Sequence, residues 1–408
     1  MAQTDERALV VGAGIGGLCT ALALRRAGID ATVFERAAEL YDVGCVGIWV
    51  DGVAALDRLG LADSVEELGR PVEVQEWRTW RGKVLIRNDV GEMVRQHGLR
   101  PPVNIRRAVL LRLLLDALGE GVVQYGKTCA GFEQDESGVT VQLADGGEER
   151  GAVLVGADGV ESGIRTALFG DVPLRYAGYQ YVRALIEFDH PAFPGGKFSV
   201  TLGRGDRFVM IHTSKDVRCW FAVTMNPRGS SAADGAKPDA AERFTRSAAI
   251  KEDLLRRFRR FPEPTIEMIE ATPAESMFRN DIKDFEPLER WSDGRVTILG
   301  DAAHAATPNS GRGAGEAMQD GVALADCLAG AGSLRDRDAV SSALRELEEQ
   351  RRGPTADMQT RAWRIGQVAS WKNPLAVKIR ERMMRGRLAQ QQRKWYAAEF
   401  EALSSRKG

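Results

Sequence analysis

Three clusters carry the residue types that chemistry on a bound nucleotide needs. The first is Gly12-Ala13-Gly14-Ile15-Gly16-Gly17, with Glu35 at the end of the next apolar run. In this G-x-G-x-x-G spacing Gly12 makes a tight turn, Gly14 lets backbone approach a pyrophosphate, and Gly17 lets helix pack on strand. The helix start offers unpaired N–H groups to phosphates, and Glu35 can accept from ribose hydroxyls. The second cluster, Gly156-Ala157-Asp158-Gly159-Val160-Glu161-Ser162-Gly163-Ile164-Arg165, reads on its own as a plain turn and gains meaning beside the third. The third is Gly300-Asp301-Ala302-Ala303-His304, followed by Pro308-Asn309-Ser310-Gly311-Arg312-Gly313-Ala314-Gly315. An acid at a strand's C-terminal end suits a chain of hydroxyls, and a Gly-rich helix start can turn its N–H groups toward an electron-rich ring.

The elements that must position these groups follow from hydrophobic pattern. Ala8 to Val11, a helix through Ala27 and Ala31 to Phe34 form a βαβ unit. Alternation from Trp77 to Ile86 breaks that rhythm and predicts an antiparallel excursion, closed by Pro101-Pro102. Arg106-Arg107 then opens a Leu-rich helix through Leu118, and strands are expected at 121–125, 129–133, 139–143 and 152–155. The region 176–271 is strand-rich, at 179–188, 198–202, 208–213 and 218–224, with a loop-like stretch at 226–241 and a charged helix at 251–261. A strand at 295–299 leads into the third cluster, and the chain is helical from Leu344 onward. The fold class is therefore α/β (α+β): a Rossmann-like nucleotide lobe (1–75, 102–176 and 285–335), a second lobe on a mostly antiparallel sheet (76–101 and 177–284), and a C-terminal helical segment (336–408).

Composition narrows the class. The chain has 408 residues, 44% hydrophobic and 28% charged, with a formal net charge of -1, which points away from disorder and from nucleic acid. Its five cysteines are scattered without C-x-x-C spacing, so neither a disulfide framework nor a metal site is expected, and a cytoplasmic setting fits. The start, Met1 to Arg7, is polar, and no apolar run reaches membrane-spanning length. After Arg361 there are about a dozen Lys and Arg against about three acids. This reads first as a solvated helical cover, with a membrane or partner surface as the alternative.

The order of the three motifs resembles the single-component FAD-dependent aromatic hydroxylases of the p-hydroxybenzoate hydroxylase type. Segments such as "IRRAVLLRLLLDAL", "YVRALI" and "GRGDRFVMI" are similar to that family as well. The resemblance implies a small-molecule monooxygenase in which NADH or NADPH, a transient co-substrate, reduces FAD. Oxygen then adds to give a flavin C4a-hydroperoxide that hydroxylates or epoxidises an electron-rich, aromatic or polycyclic substrate. It implies that Gly12, Gly14, Ile15 and Gly17 hold the pyrophosphate, that Glu35 and Arg36 hold the ribose, and that Arg107 reaches the phosphates or ribityl. Asp158 would link FAD and nicotinamide binding, and Asp301 would bond the ribityl chain. Pro308, Gly311, Arg312, Gly313 and Ala314 would wrap the isoalloxazine, with Val46 and Cys129 also against the cofactor.

For the substrate it implies Arg183, Arg207, His212 and Cys219, with Arg207, Arg312 and Pro308 closest to the chemistry. Arg312 would add positive charge at the flavin and raise its reduction potential, or, as loop arginines commonly do, turn its long side chain out to solvent. Departures from the urate-hydroxylating branch are Cys219 in place of a Tyr, Val182 in place of a Trp and Arg312 in place of a Gln. His212 reads equally as a structural histidine, His304 as a packing or hydrogen-bonding residue, and Trp77 and Trp80 as core ahead of cavity lining. A reductase or oxidase on the same fold, a flavin halogenase (which lacks its W-x-W-x-I-P stretch here) and a non-catalytic flavin-binding regulator are the competing readings. A monomer or homodimer is expected.

Overall fold

The computed structural model describes residues 6–39, 44–229 and 240–405, the last with backbone alone over 240–246. The polar start before Glu6, Val43 and most of the loop-like stretch 226–241 lie outside the described residues. In chain order the elements that matter here are β1 (Ala8–Val11), α1 (Ile15–Arg26), β2 (Ala31–Glu35), β3 (Cys45–Ile48), α2 (Val50–Arg58), β4 (Val74–Thr79), β5 (Val84–Asn88), β6 (Val103–Arg106), α3 (Arg107–Leu118), β7 (Val123–Tyr125) and β8 (Val153–Gly156). Next come β9 (Arg175–Glu187), β10 (Lys197–Leu202), β11 (Arg207–His212), β12 (Val217–Thr224), β13 (Phe278–Asp284), β14 (Ser292–Asp293) and β15 (Val296–Ile298). Four helices close the chain: α4 (Gly313–Gly330), α5 (Arg337–Ala369), α6 (Pro374–Met383) and α7 (Ala389–Ser405).

Two sheets organise the molecule. The first runs β14-β15-β8-β1-β2-β7 and is parallel except for β14 against β15. Strands buried on both faces need continuous apolar runs, and Ala8–Val11 and Val153–Gly156 are buried throughout. Small residues bring α1 and α4 together: a Cβ on Gly321 would lie 2.7 Å from the Thr20 hydroxyl, and one on Gly16 3.2 Å from Ala317. The second sheet, β13-β9-β12-β11-β10-β4-β5, is antiparallel except for β10 beside β4. The mixed architecture with a mostly antiparallel second sheet agrees with the fold class expected from sequence.

Several boundaries differ from expectation, among them the start of α5 at Arg337 ahead of Leu344. The helix placed at 251–261 runs instead from Ala240 to Phe258, stopping ahead of Pro262 and Pro264, which cannot continue the helical hydrogen bonds. Strand β9 begins at Arg175, ahead of the expected 179, because β13 pairs with it from Arg175↔Asp284 onward across a register shift near Gly178.

Strand alternation gives the second sheet two faces. One carries Phe208, Met210, Trp220, Ala222, Val182 and Ala184, sealed with Leu254, Phe258, Met268 and Ile269 of the covering helices. The other carries Tyr181, Arg183, Cys219, Phe221, Arg207 and Val209, and several of these are only half-buried. That second face looks toward the Pro308–Gly315 loop.

Candidate active site

The first turn is shaped by what would collide with it. Gly12 sits at φ 106°, and a Cβ there would lie 2.4 Å from the Ala157 carbonyl oxygen. A Cβ on Gly17 would lie 1.9 Å from the Gly12 oxygen, whereas one on Gly14 would meet nothing within 4 Å. Two of these glycines make room for protein, and Gly14 faces open space at the start of α1, where Ile15 is half-buried. No acid occupies the first turn of α1, so its N–H groups and positive end are available to an anion. Glu35 accepts from Ala13 N–H (2.9 Å) and Ala37 N–H (2.8 Å), which fixes its carboxylate at the turn with lone pairs to spare. Arg36 beside it is exposed.

Cations gather where the sheets meet. Arg107 opens α3, its N–H bonded to the Gly44 carbonyl (3.1 Å), and burial, with the nearby Arg183 cation, lowers its pKa. Arg183 is lowered by burial too, and Cys219 and Cys45 lie close to it. The Cys219 thiol lies beside Cys45, and burial, helped by that neighbour, pushes the Cys45 thiol well up. Val46 pairs with Ile105 and packs on the core of the first lobe. Cys129 donates to the Gly131 carbonyl (3.5 Å), and burial raises its pKa.

The second motif has a positioning role. Asp158 accepts from Ser162 Oγ (2.5 Å), Gly163 N–H (2.8 Å) and Ile164 N–H (3.2 Å), so both its oxygens serve the N-terminus of the helix Gly163–Phe169. Asp158, expected to link two cofactors, is held in place by this cap. Arg165 donates to the carbonyls of Val160 (2.7 Å) and Ala302 (3.0 Å), tying this motif to the third.

Asp301 follows β15 and is open to solvent, yet protein surrounds it closely enough that desolvation raises its pKa. It makes no hydrogen bond among the described residues, and a Cβ on Gly313 would sit 3.9 Å from its Oδ1, at the start of α4. Behind it His304 Nε2 meets Asp320 at 2.5 Å, and Asp320 and Glu316 both bind Arg351 (2.7 and 2.6 Å). Burial alone would lower the His304 pKa, but Asp320 outweighs it and the net direction is upward.

Pro308 opens the short turn Pro308–Ser310, and Gly311 follows at φ 68°. Asn309 of that turn accepts from Arg207 Nη1 (3.1 Å) and donates to the Tyr179 hydroxyl (2.6 Å) and the Ala362 carbonyl (3.0 Å). Arg207 lies over the Tyr179 ring at 4.8 Å and is 3% exposed, and its Nε and Nη2 have no partner among the described residues. Burying such donors unpaired costs about 1–3 kcal/mol each; they aim from the half-buried sheet face that also carries Arg183, Tyr181 and Phe221.

Two expectations need correction. His212 shares a strand with Arg207 but lies five positions on, so its side chain is on the opposite face. There it bonds the Phe193 carbonyl (3.1 Å) against the Phe193 ring, and burial, helped by Arg218, pulls its pKa down to about 4. It is buried on the core side of the sheet, away from the face that carries Arg207. Arg312 does not present a free cation to a ring either. It is paired with Asp51 of α2 and with Glu399 of α7 (2.6 Å), lies 3.6 Å from Glu316, and stacks on Trp395 at 5.0 Å. Three carboxylates offset its charge.

Sequence reading singled out neither Asn309, Tyr179 and Tyr181 nor Asp51 and Glu399. The Tyr179-x-Tyr181-x-Arg183 alternation was a readable signal for the first group. Glu316, four positions on, is a local partner of Arg312, but nothing local signals Glu399 or Asp51, which is 261 positions away.

These residues fall within a known pattern. The FAD binding domain family matches residues 5–362. The chain is 36% identical over 360 residues to an FAD-dependent urate hydroxylase of Klebsiella pneumoniae subsp. pneumoniae, covering 87% of this chain and 88% of that one. It is 33% identical over 384 residues to an aurachin C monooxygenase/isomerase of Stigmatella aurantiaca, covering 94% of each. The crystal structure of Klebsiella pneumoniae HpxO complexed with FAD and uric acid superposes with a TM-score of 0.85 at 30% identity, covering 98% of both chains.

Proposed function

The chain belongs to the FAD-binding-domain family of flavoproteins, and from that premise we propose that it is an FAD-dependent monooxygenase for an electron-rich aromatic small molecule bearing a phenolate or carboxylate. The residues fit the cofactor: Gly14 faces an open cradle at a helix start, Glu35 is preset for a ribose, and Asp301 has no described partner. When bound and reduced by NADH or NADPH, FAD supplies the activation of O2.

The chain's own work is placement and exclusion of water. The Gly12–Gly17 turn and α1 hold the pyrophosphate, Arg107 adds a cation, and Asp301 accepts from the ribityl hydroxyls. Residues Pro308 to Ala314 would hold the flavin ring, with the N–H groups at the start of α4 available to its electron-rich atoms. Arg207, steadied by Asn309, donates its two free N–H groups to a substrate oxygen, favouring the anionic form that is more electron-rich. Tyr181, Phe221 and Val209 give that oxygen an apolar surround, and Arg183 supplies a second cation. In this reading residues 1–75, 102–176 and 285–335 form the cofactor lobe, and 76–101 and 177–284 the substrate lobe.

The observation that carries the proposal is the pair of buried, unpartnered donors on Arg207. Turnover under ¹⁸O2 tests it: wild type should place label in a hydroxylated phenolic or carboxylated aromatic. Arg207→Gln should lose about 10²-fold or more in kcat/KM while retaining FAD. NAD(P)H consumption with no labelled product from any such substrate would favour a reductase or oxidase instead. Cys219 offers no hydroxyl where urate-hydroxylating relatives are expected to carry a tyrosine, so urate should couple poorly.

A further inference from the structure

The last third of the fold carries a surface that nucleotide and substrate chemistry leave unused. Along α6, Leu375, Ile379 and Met383 are 67%, 49% and 40% exposed. Their i, i+4, i+8 spacing stacks them into one apolar stripe. The opposite side, Val377, Arg380 and then Met384, is buried. Arg380 locks the helix in this orientation by donating to the carbonyls of Ala369 (2.7 Å) and Gly203 (2.8 Å), so the stripe cannot roll inward. Lys378, Arg382, Arg385 and Arg387 are exposed around it and have no acidic partner among the described residues. Between 372 and 394 the one acid is Glu381.

We propose that α6 docks the protein on an anionic lipid surface. Charge complementarity selects this occupant. An outward apolar stripe rimmed by long cationic side chains lets the stripe enter the acyl boundary while the Lys and Arg heads stay at the phosphates. Trp371, half-buried immediately before the helix, suits the same interface. A second copy of this chain packed about a two-fold axis would set these cationic rims against each other.

The FAD-loaded protein should co-sediment with phosphatidylcholine vesicles containing about 30% phosphatidylglycerol, more weakly with pure phosphatidylcholine, and less at high salt. Lys378→Glu with Arg382→Glu should lower binding by about fivefold or more per charge. Leu375→Ser, Ile379→Ser and Met383→Ser combined should lower it at least about tenfold. All three stripe side chains are exposed, so that variant should keep wild-type flavin absorbance and melting temperature, which separates lost docking from lost fold. Wild type that ignores anionic vesicles, or variants that bind as wild type does, would overturn the proposal. So would a dimer in solution that the triple variant dissolves while vesicle binding is absent, which would assign the stripe to self-association. Capture of an acidic peptide in preference to the vesicles would equally reject the lipid assignment.

Discussion

Asp301 and Arg312 lie eleven positions apart and face opposite electrostatic situations. Asp301 is an anion at a cleft with no described donor, so hydroxyl groups of a ligand complete its hydrogen bonding. Asp301→Ala should therefore weaken FAD binding by about tenfold to a hundredfold, equivalent to roughly 1.5–3 kcal/mol for a charge-assisted bond. Fluorescence titration of the apoprotein reads this directly, and unchanged affinity would remove Asp301 from the cofactor site. Arg312 is already surrounded by carboxylates. Replacing it by Gln leaves Asp51 and Glu399 buried without their cation, which costs about 3–5 kcal/mol of stability. A lowered melting temperature with a flavin midpoint potential near wild type is the expected result, and restoring stability with Glu399→Gln in the same chain would confirm the cause. The difference was not legible in sequence, because the Gln-to-Arg departure is local whereas its partners come from α2 and α7.

At the level of elements, β11 shows how one strand serves two purposes. Odd positions from Arg207 face the Pro308–Gly315 loop and even positions to His212 face the helix-covered core, so the assignment depends on counting by two rather than on residue type. The alternation was readable; which face the helices covered was not, since the covering residues arrive some fifty positions later. Helix α5 supplies the other lesson. Its Arg351 is 9% exposed and joins Asp320 and Glu316 of α4, behind the Asp301 motif. Arg351→Met should destabilise by about 3–5 kcal/mol, and adding Asp320→Asn should recover part of that loss if the charge rather than the packing is responsible. Thermal shift at a fixed scan rate compares the three proteins.

Across the whole molecule, pH tests how the buried groups add up. His212 titrates near 4 when folded and near its usual 6.5 when unfolded. Between those values the unfolded chain holds the extra proton, so stability rises with pH, is fully present above 6.5 and is lost as pH falls toward 4. The span corresponds to about 3 kcal/mol. His212→Gln should flatten the stability profile between pH 4 and 6.5, and an unchanged slope would place the titration elsewhere. His304 acts with the opposite sign: its raised pKa gives stability that is complete below 6.5 and disappears as pH climbs through the folded value. The large plan was legible because β1, β8 and β15 are apolar runs each followed by a Gly-rich turn. The contact of Asn309 with Arg207 was not, since it joins segments 102 residues apart.

The strand order β15-β8-β1 has a consequence for how the protein is made. β1 starts at residue 8, its neighbour β8 at residue 153, and the strand that covers β8 at residue 296. At about 5–20 residues per second, a ribosome needs roughly a quarter of a minute to a minute between delivering β1 and delivering β15. For about the second half of that interval, from the delivery of β8 onward, the edge of β8 is an apolar template open to wrong pairing. The nascent chain is therefore exposed before its nucleotide site exists, when FAD has no assembled site to stabilise, and its yield should respond more to chaperones acting during translation than to FAD supply.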